Sequence, residues 1–89
     1  MQAIIDLEEL QAFIHAFASN CGQLREQKDY MNQRVRELQD YWKDNRYSAF
    51  EQRFTETVRE IEQFLHHSEI YLDYLQRKGR KIQEYLDGY

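Results

Sequence analysis

The sequence predicts an all-α protein: an antiparallel two-helix hairpin that dimerises into a four-helix bundle. Three observations point there. Apolar residues recur every three and four positions along most of the chain, proline is absent, and one polar stretch interrupts the pattern near the middle. The 89 residues, with three glycines and one cysteine, suffice for a single small domain over 1–89. An elongated domain of this size buries little of its own surface, so a core shared with a second chain is expected. A hydrophobic content of 42% argues against disorder.

The first helix is expected over about 6–42. Leu7, Leu10, Ile14, Phe17, Cys21, Leu24, Lys28, Met31, Val35, Leu38 and Trp42 follow one another in steps of three and four, and only Lys28 is not apolar. Asp6 followed by Glu9 fits an N-cap with a carboxylate in the first turn. Gly22 lies inside this helix and weakens it locally by about 1 kcal/mol relative to alanine. Lys43-Asp44-Asn45-Arg46 is polar and rich in turn formers, which places the reversal at about 43–47. Ser48 and Glu51 have capping-box spacing, with Asn45 or Asp44 as alternative caps.

The second helix is expected over about 48–87. Tyr47, Phe54, Ile61, Ser68, Leu75, Ile82 and Tyr89 repeat every seventh position. A row of Phe50, Phe64, Tyr71 and Tyr85 lies on one side, and Val58, Leu65, Leu72 and Leu86 lie on the other. One partner helix covers only a narrow stripe, so this width implies a second contact surface, supplied by another copy or a related chain. Phe50, Phe54, Val58, Ile61, Leu65, Leu72 and Leu75 are the expected hairpin and dimer contacts. Gly79 either permits a close approach or marks fraying.

The residues offer little chemistry for catalysis. His15 stands apart from the adjacent His66 and His67, so no i, i+4 pair aims two imidazoles at one ion. Glu-x-x-His, phosphate loops and Gly-x-Ser-x-Gly are absent, and His15 is out of helical register with Cys21. No enzyme activity, metal or cofactor is expected. Cys21, in an apolar row, reads as a small buried residue. The net charge of −4 is unlike that of a nucleic-acid binder. Arg77, Lys78, Arg80 and Lys81 form the one basic cluster, suited either to an anion or to the favourable end of a helix dipole. Asp6, Glu8 and Glu9 interrupt Ala3-Ile4-Ile5 and Leu7, so neither a cleaved signal nor stable membrane insertion is expected. The chain is expected to be made in the cytoplasm.

Trp42-Lys43-Asp44 at the reversal, Ala49-Phe50 with Phe50 eight residues beyond the Trp, Ile5-Asp6-Leu7-Glu8-Glu9-Leu10 and Leu72-Asp73-Tyr74-Leu75 carry a resemblance. Together they resemble the WXG family of small type VII secretion proteins, the early-secreted-antigen-like helical hairpins, over nearly the whole chain. The resemblance implies a Trp-x-Gly turn joining two antiparallel helices, with Asp44 standing where the family has glycine. It implies a homodimer or a heterodimer with a related hairpin, secreted without a cleaved signal or acting as partner of a larger effector, in contact with a secretion ATPase. The family's export signal, a Tyr followed four residues on by Asp or Glu after helix 2, has no counterpart: Tyr85 is followed there by Tyr89. Either a partner chain is then the source of that signal, or the chain is a non-exported relative of the family. The alternative reading is a cytosolic coiled-coil adaptor or regulatory subunit with no secretion role.

Overall fold

The computed structural model describes residues 5–88, so the expectations attached to Ala3, Ile4 and Tyr89 lie outside the described residues. Two helices, α1 (Leu7–Leu38) and α2 (Arg46–Gly88), form an antiparallel hairpin measuring 68 × 17 × 15 Å. Asp6 caps α1, its Oδ1 accepting the N–H of Glu8 at 2.9 Å and of Glu9 at 3.4 Å.

α1 closes at Leu38 rather than near 42. The backbone does not unwind abruptly there: the N–H groups of Gln39, Asp40 and Tyr41 bond three residues back, to Arg36, Glu37 and Leu38. This tighter turn uses up the last carbonyls of the helix while rotating the chain off its axis. The N–H of Trp42 still reaches the Leu38 carbonyl at 3.0 Å, so Trp42 keeps helical spacing while standing in the connection. α2 begins at Arg46, inside the expected turn, because Asp44 supplies its cap.

The seam is a strict heptad on α2, where Tyr47, Val58, Leu65, Ser68 and Gly79 are buried, Phe54, Ile61, Leu72 and Leu75 are half-buried between them, and Ile82 is half-buried beyond Gly79. On α1 the buried members are Leu10, Cys21 and Val35. Ser68 satisfies its buried hydroxyl by donating to the Phe64 carbonyl at 2.8 Å. A Cβ on Gly79 would meet Leu10 at 3.7 Å and Leu7 at 3.9 Å, ordinary contact distances, so the helices do not require a glycine there. Gly79 is buried in continuous helix, with nine residues beyond it, and does not mark a frayed end.

Lys28 interrupts the apolar seam without leaving an isolated charge. Its side chain is only 12% exposed, and the ammonium lies 3.3 Å from both Glu62 and Asp29. The aliphatic stem packs in the seam while the head reaches the rim.

Candidate interaction surface and turn

Antiparallel packing gives the hairpin two long flanks, and they differ in chemistry. One flank is polar and carries the ion pairs between helices: Arg25 Nη2 to Glu69 Oε2 at 3.4 Å and Lys28 Nζ to Glu62 Oε2 at 3.3 Å. Gln11, Ala18, Gln76 and Gln83 share a groove on this side. The opposite flank holds a groove of about 140 Å³ whose walls include Leu24, Gln27 and Met31 of α1 and Thr57 and Ile61 of α2. Seven-residue spacing places Phe13 in the row of Gln27, and Phe50, Phe64 and Tyr71 in the row of Thr57. All four aromatics are exposed, Phe13 at 54% and Tyr71 at 56%.

The seven expected contact residues therefore separate. Val58 and Leu65 are buried within the hairpin; Phe54, Ile61, Leu72 and Leu75 are half-buried; Phe50 is exposed on the second flank. Phe13, which stacks on Phe17 with ring centroids 5.6 Å apart, belongs to the same exposed set, although its row on α1 is invisible while only the seam is read.

At the closed end, Trp42 lies between the rings of Tyr47, at 5.8 Å, and Phe50, at 5.5 Å, and Phe50 continues to Phe54 at 6.1 Å. Asp44 organises this cluster. Its Oδ1 accepts the indole Nε1–H of Trp42 at 2.9 Å and the N–H of Arg46 at 2.8 Å, so one carboxylate both orients the indole and caps α2. None of the described residues has positive φ, so the backbone of this turn does not require glycine. Tyr47 adds a buried tie, its hydroxyl donating to the Val35 carbonyl at 2.9 Å and lying 3.3 Å from Glu51.

The pKa of Tyr47 is raised above its ordinary 10.0 by burial and by the neighbouring Glu51 carboxylate. Burial opposes the charge on Lys28, but its bonds to Asp29 and Glu62 outweigh that effect and hold its pKa above 10.5. A raised folded-state pKa means stability that is complete below the unfolded value and lost as pH rises through the folded one. The thermal midpoint, followed by circular dichroism, is expected to fall once pH passes about 10. A midpoint unchanged across that range contradicts this linkage.

The basic cluster does not form one surface. Arg77, Lys78 and Lys81 surround Tyr74 on one side of α2, whereas Arg80 lines the polar groove with Gln11 and His15. Arg77 is further matched by Asp73 at 2.7 Å. The cluster also lies short of the end of α2, whose last turn contains no cation, so the helix dipole does not account for it. His66 and His67 sit side by side, ring centroids 6.0 Å apart, and are exposed. Among the described residues no group of three or more His, Cys, Asp or Glu side chains is placed to hold a metal ion, and no helix is long and apolar enough to cross a membrane. No family model matches the sequence, and comparisons with curated proteins and with solved structures likewise return no match.

Proposed function

We propose that this chain is a non-enzymatic protein that works by association, dimerising into a four-helix bundle and serving as a small secreted substrate, or as the partner of a larger effector, in a type VII-like secretion system. The supporting observation is the apolar surface that the hairpin leaves open: Phe13, Met31, Phe50 and Phe64 are exposed along both helices, far more than scattered surface residues require. The secretion part rests on the resemblance, with Trp42 set in the connection and stacked on Phe50. Tyr85 is followed four residues on by Tyr89 rather than an acid, which favours export together with a partner chain over export alone.

Two experiments test the two parts. Sedimentation equilibrium tests dimerisation. For secretion, an epitope-tagged chain is followed in the culture medium of its host with and without the secretion ATPase. The proposal expects it in the medium only when the ATPase is present, and retention in the cell under both conditions contradicts it.

A further inference from the structure

The geometry points to a phosphate-binding site on α2, in the hollow lined by Tyr74, Arg77, Lys78 and Lys81, which takes one phosphate group of a small anion or of a lipid head group. The site does not depend on the association proposed above.

Helical spacing builds it. The three cations stand three, four and seven residues beyond Tyr74 in continuous helix, so all four side chains project from one side within two turns. They line a hollow of about 440 Å³, within the roughly 300–1,000 Å³ of small-molecule sites. Arg77 and Lys81, four residues apart, and Lys78 and Lys81, three apart, are neighbouring like charges, an arrangement that disfavours the helix. Asp73 offsets Arg77 at 2.7 Å, but neither lysine is paired with a carboxylate among the described residues. The cluster also lies short of the last turn of α2, so the helix dipole does not offset it. Positive charge gathered without an internal counterion breaks a local rule of helix design, and a bound anion in the hollow removes the repulsion.

The donor set selects phosphate among anions. Two ammoniums, a guanidinium and the Tyr74 hydroxyl offer hydrogen bonds from four side chains. A phosphate group answers with three acceptor oxygens and about two negative charges, whereas a carboxylate is already matched by one guanidinium, as Asp73 is by Arg77. Long polyanions fit less well. Asp73 and Glu84 bracket the cluster and the chain carries −4 overall, so a nucleic-acid strand running along the helix meets repulsion on both sides of the hollow. A head group in a bilayer brings further contacts, because Ile70, four residues before Tyr74, and Tyr85, eleven after it, continue the same side of α2 and are exposed.

The test uses the full-length chain in two arms: titration with inorganic pyrophosphate followed by amide NMR shifts, and co-sedimentation with vesicles of phosphatidylglycerol in phosphatidylcholine. Saturable shifts centred on residues 74–81 without vesicle binding identify a free phosphate compound as the source. Vesicle binding without saturable shifts identifies a head group, and binding in both arms supports the site with either source. In whichever arm binds, Lys78→Gln with Lys81→Gln is expected to weaken binding by about 10-fold or more. Lys43→Gln with Arg59→Gln removes the same charge elsewhere and is expected to weaken it by less than about 2-fold. All four side chains are exposed, so both variants are expected to keep wild-type helicity by circular dichroism. No binding in either arm, shifts centred elsewhere, or equal losses from the two pairs of substitutions overturns the site.

Discussion

Leu65→Ala is expected to lower the thermal midpoint by at least about 10 °C, corresponding to about 2–5 kcal/mol for a buried leucine truncated to alanine in a domain of this size. Leu65 is 4% exposed and sits at the middle of α2, where α1 covers it. Few side chains in this hairpin are buried so completely, and a cavity in a seam between only two helices has no second layer to collapse into it. Total stabilities of small domains are about 5–15 kcal/mol, so the loss is a large fraction of what holds the helices together. Leu86→Ala provides the contrast, since Leu86 is 62% exposed beyond the start of α1 and its truncation is expected to change stability by no more than about 0.5 kcal/mol. Equal effects from the two substitutions contradict the seam as drawn.

Asp44→Ala is expected to destabilise by about 1–2 kcal/mol, the upper range for loss of a capping carboxylate, because the same oxygen also holds the Trp42 indole. Tryptophan emission is expected to shift to the red as the ring loses its fixed place between Tyr47 and Phe50. Asp44→Gly removes the one oxygen that accepts both bonds, but glycine is a better cap than alanine, so it is expected to destabilise less than alanine while still falling below the wild type, and Asp44→Asn keeps an acceptor and loses least. If glycine matched or exceeded the wild type in thermal stability, the carboxylate would have no such role. The residue at which this turn departs from the Trp-x-Gly pattern is thus the one that orders it.

The hairpin was legible because a seven-residue period specifies helix, face and length together, and because Lys43 to Arg46 is the one polar interruption. The end of α1 was not. The step from Leu38 to Trp42 is a helical step, and no glycine or proline marks a stop. The chain leaves the axis through three-residue bonds after Leu38 and through the tertiary pull of Tyr47 and Phe50 on the Trp42 ring. Nor could four adjacent cations show that Arg80 projects away from Lys78 and Lys81, since that depends on which flank of α2 meets α1. Phe50, Phe64 and Tyr71 were visible as a widened stripe on one helix. Their continuation onto Phe13 and Met31 of α1 appears only once the antiparallel pairing places those rows on the same flank.

In the proposed dimer a second copy covers the open apolar flank. Sedimentation equilibrium of the purified wild-type chain across the micromolar range tests it most directly. A mass of twice 11.0 kDa that holds on dilution is the predicted result, and a single species at 11.0 kDa throughout contradicts it.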